Sequence, residues 1–447
     1  MAVTREKRRK VNGLVRGIKV LSFGLVLAAV GIIGLLWFCR PDTSVVEKRE
    51  LTPFPAITWS SFWDGSFYEG VDVWYADTFP LRERLIAGSQ TLAGLYGIQS
   101  DQLIGDAMAA DDIPEAGPDA APGNNTETVK EPVQAAEPEE VLPDGTVTEA
   151  GEMQGQIYIT NNCGYGLYYF TQPAAYKFAA TMNRIYENVK DKVNLYVMIC
   201  PISAGVMLDE SLLTSMGCSS EKAAIDYIYG QINEGVHTVS AFDNLRKHNA
   251  EYIYFHTDHH WTALGAYYAY QAFCKEKGIT PHKLEDYETR EFPGFMGTFC
   301  SKSNNSPALA ANPDTVVAYV PKGTNAMTMY YTTGEVVDWY IVNDVSTYNK
   351  TALYATFVGG DRPFSYAHNT TVTDGSAVMV IKDSYGNAFI PWLVDHYEYI
   401  YWVDARYTSN TISQMVRDYN IQDVIYEVQI YNSSTDSMMS KYAAIGQ

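Results

Sequence analysis

The sequence is short of several things, and each shortage closes off a class of function. No two cysteines stand at CxxC spacing; Cys39, Cys163, Cys200, Cys218, Cys274 and Cys300 are scattered singly. That removes the usual support for a structural zinc or a thioredoxin-type redox centre. Cys39 ends an apolar run, and five cysteines follow it, an odd number that argues against a full disulfide framework. One or two bridges stay open. Lipidation at Cys39 needs a small residue before it, and Phe38 stands there. Positive charge is also scarce, with 32 Lys and Arg against 52 Asp and Glu and a net charge of −20. Seven of the basic residues and one acid fall in residues 1–19, whereas residues 101–152 hold 14 acids and a single Lys. What remains is acidic as well and carries no basic stripe, so a nucleic acid partner is excluded.

Long apolar runs are missing, with one exception from about Ile18 to Phe38, uncharged apart from Lys19. About 21 residues at roughly 1.5 Å each span about 30 Å, the thickness of a bilayer core. Bulky Leu35, Leu36, Trp37 and Phe38 occupy the place where a cleaved signal peptide carries small residues. The expectation is a signal-anchor over 18–38, with 1–17 as a cytoplasmic basic tail. The protein is then single-pass in the plasma membrane, with its main domain extracytoplasmic.

Residues 43–100 read as a membrane-proximal helical segment packing on the main domain: Phe62, Phe67, Val71, Trp74 and Tyr75 recur at helical spacing. Residues 101–152 contain no aromatic residue and six prolines. Such a stretch buries too little apolar surface to offset its ordering entropy, and it reads as a disordered acidic insertion. The main domain then covers 153–447. Tyr is abundant there; its 34 copies in the chain are compatible with a surface that meets carbohydrate, though most rings will pack. Val193–Ile199, Ala377–Ile381, Tyr397–Val403 and Asp423–Ile430 read as strands, with helices near Lys177–Val189, Ala263–Lys275, Ala388–Val394 and Ile412–Tyr419. Alternation of near-continuous apolar strands with helices predicts an α/β fold with a mostly parallel sheet flanked by helices. Residues 285–375, polar and strand-prone, read as an inserted β-rich region or long loops.

Chemistry concentrates at Tyr254-Phe255-His256-Thr257-Asp258-His259-His260-Trp261, where three of the eight histidines fall within five residues. If the motif is extended, Asp258 and His260 share a face and His259 points away. The second concentration is Lys382-Asp383-Ser384-Tyr385-Gly386-Asn387. A Ser at the C-terminal end of a parallel strand, opening a helix, sits where ligands meet an α/β sheet and where backbone N–H groups stabilise an oxyanion. Ser384 is therefore the candidate nucleophile, His260 the base and Asp258 the group that orients it. For Ser384 alone, a helix cap is the plainer reading. Two rivals stay open for the histidines: a metal site built from His256, Asp258, His259 and His260, and a structural cluster in a protein without turnover.

Asp258-His259-His260-Trp261 resembles the signature of the DHHW family, which is similar to the SGNH-hydrolase-like proteins of alginate and cell-wall polysaccharide O-acetylation. Glu47–Pro55, Asp77–Arg82, Val197–Ser203, Lys382–Leu393 and Asp404–Tyr407 extend the resemblance over most of 43–447. It implies an SGNH-hydrolase-like fold with circularly permuted motif order, since Asp258 and His260 precede Ser384. It implies no cofactor and no metal. It places the backbone N–H of Tyr385, with Arg406 and Asn432, around an oxyanion, and gives Trp261 and His259 supporting roles. The chain departs from the pattern in having Lys382 for the usual Gly and no Gly-x-Asn-Asp at the third block. The implied activity is an O-acetyltransferase or acetylesterase, its acceptor a cell-surface polysaccharide or wall polymer and its acyl donor a membrane-bound O-acyltransferase partner. A non-catalytic polysaccharide-binding or assembly protein is the alternative.

Overall fold

The computed structural model describes residues 40, 43–44, 49–50, 52–82, 84, 102–105, 110–114 and 156–447. The expected anchor over 18–38 and most of the acidic insertion lie outside them. Among the described residues no helix is long and apolar enough to cross a membrane. The chain divides into two units, Met1–Tyr96 and Gly97–Gln447.

In the first unit, helices span Trp59–Asp64 and Ser66–Asp77. Thr58 opens the first helix with a capping box, its hydroxyl accepting from Ser61 N at 3.1 Å.

The second unit is mixed α/β. Its eight-stranded sheet contains β1 (Asn194–Cys200), β2 (His237–Thr238), β3 (Ala326–Tyr330), β4 (Val336–Tyr340), β5 (Phe364–His368), β6 (Ala377–Lys382), β7 (Tyr399–Asp404) and β8 (Asp423–Gln429), in the order β4-β3-β5-β7-β6-β8-β1-β2. Strands β7, β6, β8, β1 and β2 run parallel. Every residue of β6 and β8 is buried, which is why both read as near-continuous apolar runs, with Lys382 in β6 and Asp423, Glu427 and Gln429 in β8 as the buried polar exceptions. The helices Gly386–Leu393 and Ile412–Tyr419 make the crossovers β6 to β7 and β7 to β8.

The sheet is less parallel than expected. Strands β5, β3 and β4 extend it antiparallel from β7. They come from the polar 285–375 region, so that region is partly an extension of the main sheet. Its alternating burial in β3 and β4 reflects a face left to solvent. The start of the acidic stretch is also folded. Gln102–Ile104 pairs antiparallel with Ile157–Thr160, and Asp111 N donates to Phe170 O at 2.8 Å. Backbone pairing orders these few residues despite their composition. Cys163, Cys200, Cys218, Cys274 and Cys300 are free thiols.

The helix Ala263–Lys277 packs beside Gly386–Leu393 and carries the histidine loop at its N-terminus. Thr262 caps it by accepting from Gly265 N at 3.3 Å. Gly265 is required by close approach. A Cβ there would lie 2.3 Å from Ile253 O, a backbone atom that cannot swing aside. Gly265→Ala is expected to destabilise the fold by about 1–3 kcal/mol, the range for an overpacked core, as measured by chemical denaturation.

Candidate active site

The histidine motif is not extended. Tyr254 and Trp261 form an isolated antiparallel bridge, and Phe255 N donates to His260 O at 3.2 Å, so the six residues between fold into a tight loop. Asp258 meets His260 by a local turn instead: His260 N donates to Asp258 Oδ1 at 3.0 Å. This Asx-type turn brings i and i+2 together more firmly than strand alternation would. Asp314, at the start of the strand Asp314–Val320, anchors the loop from outside. Its carboxylate accepts from His256 N and Thr257 N, both at 2.8 Å, from Thr257 Oγ1 at 2.5 Å, and from the Tyr252 hydroxyl.

His260 Nδ1–H donates to Asp258 Oδ1 at 2.6 Å, and Ser384 Oγ–H donates to His260 Nε2 at 2.8 Å. The tautomer follows from the partner, because a carboxylate only accepts. Ser384 lies 124 residues beyond His260 in sequence. It stands just past the end of β6, before the helix Gly386–Leu393. Trp261, fully buried, donates from Nε1 to Tyr385 O at 3.0 Å, and the Tyr385 hydroxyl donates to His259 O. Two reciprocal bonds therefore clamp the loop to the serine turn.

Asp258 is buried, yet both oxygens are fully engaged: Oδ2 accepts from Thr298 N at 2.8 Å and Thr298 Oγ1 at 3.1 Å. Burial alone would push its carboxyl up. The His260 and His259 rings facing it and the hydrogen bonds from His260 and Thr298 outweigh that and hold it well below the usual carboxylate range.

His259 does not point away, as strand alternation predicted. Its Nδ1–H donates to Thr298 Oγ1 at 2.7 Å, and its ring lies 3.8 Å from that of His260. Burial first, and then the neighbouring His260, depress its pKa to about 3, so it stays neutral. Asp258, His259 and His260 bring their ligand-type atoms within 4.8 Å of one another. Both His260 nitrogens, however, are engaged by Asp258 and Ser384. His256 faces Asp314 instead, at 3.4 Å. Asp258, His260 and Ser384 form one continuous hydrogen-bonded chain, with the fourth expected ligand turned elsewhere.

The three expected oxyanion groups are otherwise occupied. Tyr385 N donates to Asp383 Oδ1 at 3.0 Å, and Asn432 Nδ2 donates to Asp383 Oδ2 at 2.8 Å. Asp383 also accepts from Gln429 N at 2.7 Å, and so ties the serine turn to the end of β8. Arg406 puts Nη2 at 2.6 Å from both Asp361 Oδ2 and Asp404 Oδ2. Lys382 Nζ, replacing the usual Gly position, donates to Asp361 Oδ1 at 2.7 Å.

Asp361, Thr298, Tyr354, Asp314, Asp383 and Asn387 carry no motif that would have singled them out; only Asp383 and Asn387 fall inside a stretch the sequence marked. Asp361 follows three residues of positive φ, Val358 at 48°, Gly359 at 67° and Gly360 at 81°. For a β-branched Val this is strained, and the strain delivers Asp361 to the cleft. Its carboxyl is pushed up by burial but held well below the usual range by Lys382 and Arg406. The cleft, small and open to solvent, is lined by Ser384 and His260, by apolar Phe295, Ala352 and Ala355, and by Asp361 and Asn387.

Fold and site together define an α/β protein with an aligned Ser-His-Asp relay at the C-terminal edge of a central strand. The chain belongs to the DHHW family, described as DHHW protein, whose sequence pattern matches residues 47–134 and 125–403. It is similar to a DHHW family protein from Eubacterium siraeum at 27% identity and a TM-score of 0.58, covering 67% of this chain and 96% of that one. It shares a fold with Bacillus cereus PatB1 at 18% identity. A PatB1 structure with a sulfonyl adduct gives a TM-score of 0.54, covering 64% of this chain and 97% of that one. A second PatB1 structure gives 0.52, covering 63% and 98%. No curated protein matches the chain.

The depressed His259 has a consequence for stability. The unfolded chain takes up a proton at this residue below pH 6.5, whereas the folded chain does not until about pH 3. Its contribution is thus fully present above pH 6.5 and falls as pH drops toward 3, by up to about 1.4 kcal/mol per pH unit. His259→Gln keeps a donor for Thr298 and should remove that slope. Denaturation of both proteins at pH 7 and pH 5 measures the difference.

Proposed function

We propose that this chain is a membrane-anchored, extracytoplasmic acyltransferase or esterase that works through Ser384, His260 and Asp258. The observation that carries the reading is the relay of 2.8 Å from Ser384 to His260 and 2.6 Å from His260 to Asp258. In this scheme Ser384 Oγ attacks the acyl carbonyl while His260 Nε2 takes its proton. Asp258 holds the imidazole in the required tautomer and stabilises the imidazolium. Collapse of the tetrahedral adduct breaks the donor's acyl–oxygen bond, the departing oxygen takes the proton from His260, and the acyl group stays on Ser384. A second oxygen nucleophile then gives its proton to His260, attacks the acyl carbon and leaves Ser384 free, reprotonated from His260. A sugar hydroxyl makes the reaction a transfer; water makes it a hydrolysis.

Family membership supports O-acetylation of a cell-surface polysaccharide or wall polymer, because the DHHW pattern resembles the SGNH-hydrolase-like proteins of that chemistry. On this reading the motif order is circularly permuted, and the basic tail and apolar run of 1–38 set the main domain outside the membrane. A membrane-bound O-acyltransferase partner then supplies the acyl group. The sulfonyl adduct carried by PatB1 supports the choice of probe.

The full-length protein in detergent, treated with an arylsulfonyl fluoride, should gain one adduct by intact mass, located at Ser384 by peptide mapping. Ser384→Ala should take none. Asp258→Asn should slow hydrolysis of a chromogenic acetyl ester by roughly 10³-fold or more, since it leaves the base in the wrong tautomer. A folded wild-type protein that neither labels nor turns over the ester would favour the non-catalytic binding protein.

A further inference from the structure

One side chain outside every motif touches both the base and the nucleophile turn. Tyr354 sits in the short 3-10 helix Leu353–Thr356. Its ring lies face to face with the His260 imidazole, centroids 4.0 Å apart and planes 13° apart. Its hydroxyl donates to Ser384 O at 2.9 Å. Phe255 and Phe357 pack edge-on against the same ring, at 6.1 Å and 5.3 Å, and leave it little freedom to rotate. Tyr354 thus bridges His260 and Ser384 by a route independent of the hydrogen bond between them.

We infer that Tyr354 is the positioning residue of the relay: its ring face stabilises the His260 imidazolium that forms when Ser384 gives up its proton, and its hydroxyl pins the serine turn. The inference rests on the proposed function for its catalytic meaning, but its physical content does not need turnover. An aromatic face attracts a cation through the ring quadrupole and is nearly indifferent to a neutral imidazole. The stack therefore favours the protonated state reached at the barrier over the resting one. It also holds the imidazole plane along the line from Asp258 to Ser384, so neither hydrogen bond is won at the cost of the other.

Groups from three elements face His260. Asp258 and His259 come from its own loop, and His259 is neutral down to about pH 3. Ser384 and Tyr385 face it from the serine turn, the Tyr385 ring at 5.3 Å. Tyr354 faces it from the 3-10 helix, and Asp361 shares the cleft. Of these, Asp258 and Asp361 carry charge. Tyr354 is the one neutral group stacked parallel on the ring, so replacing it isolates the stacking term.

The test uses the full-length protein in detergent, with Tyr354→Phe and Tyr354→Leu. The imidazole titration of His260 is followed by NMR and assigned with His260→Gln. The rate of sulfonyl fluoride labelling at Ser384 is measured in parallel. Tyr354→Phe keeps the ring, so its titration midpoint should match wild type, with labelling slowed only a few-fold by loss of the anchor. Tyr354→Leu loses the ring, so imidazolium is less favoured; its midpoint should drop by about 0.5–1 pH unit and labelling should slow about ten-fold or more. Unmoved midpoints in both variants would overturn the inference, whatever the rates do. If wild-type protein fails to label while the Leu variant still shifts the midpoint, the stacking stands and the proposed reaction falls.

Discussion

Everything at this site depends on keeping the Asp258 carboxylate ionised while it is buried. An unpaired buried charge costs several kcal/mol or more, so it exists only where hydrogen bonds compensate it. Asp258 has four donors, two from His260 and two from Thr298. The His260 donors are local, set by a two-residue turn. The Thr298 donors arrive from a separate segment, at the start of the helix Thr298–Lys302. The His260 ring is oriented only because both sets are in place, and Ser384 meets it only because the ring is oriented. Gly297 shows how tight the fit is: a Cβ there would fall 2.2 Å from Asp258 Cβ.

The same device recurs around the relay. Asp314 gathers His256, Thr257 and Tyr252 and so shapes the outside of the histidine loop. Asp383 gathers Tyr385, Gln429 and Asn432 and joins the serine turn to β8. Asp361 gathers Lys382, Arg406 and Asn387 on the cleft wall. Asp383 and Asp361 accept from donors of different segments, and Asp314 binds a loop remote from it in sequence, which is how loops without regular secondary structure are held to a fixed geometry. The acidic side chains consume N–H groups that would otherwise face the cleft. Tyr385 N and the Asn432 amide are both drawn to Asp383 in this way.

Parts of this were legible in the sequence because they are local. The runs Ala377–Ile381 and Val424–Tyr426 at the centres of β6 and β8 are apolar, and burial on both faces follows from such near-continuous runs. Thr262 before Ala263 marks a helix start whatever surrounds it. Crowding of Asp258, His259 and His260 into three residues made their proximity certain. The motif is a turn where an extended strand would also have put Asp258 and His260 on one face, and the pair holds either way, since two residues so close have few ways to avoid each other. The antiparallel half of the sheet was not legible. The strands β3, β4 and β5 lie in a polar region, and the pairing of β5 with β7, of β3 with β5 and of β4 with β3 is a matter of register between segments.

By itself, then, the sequence determined the α/β alternation, the histidine loop and the serine at the end of a buried strand, because each is written in neighbouring residues. Tertiary structure alone decided that Ser384 meets His260 across 124 positions. It decided that Thr298, Asp314 and Tyr354 contact the histidine loop and that Tyr385 N, Asn432 and Arg406 bond to the carboxylates of Asp383, Asp361 and Asp404. The physical reason is that a hydrogen-bonding group takes whichever partner the fold brings nearest. That choice is made between segments, where no local pattern records it.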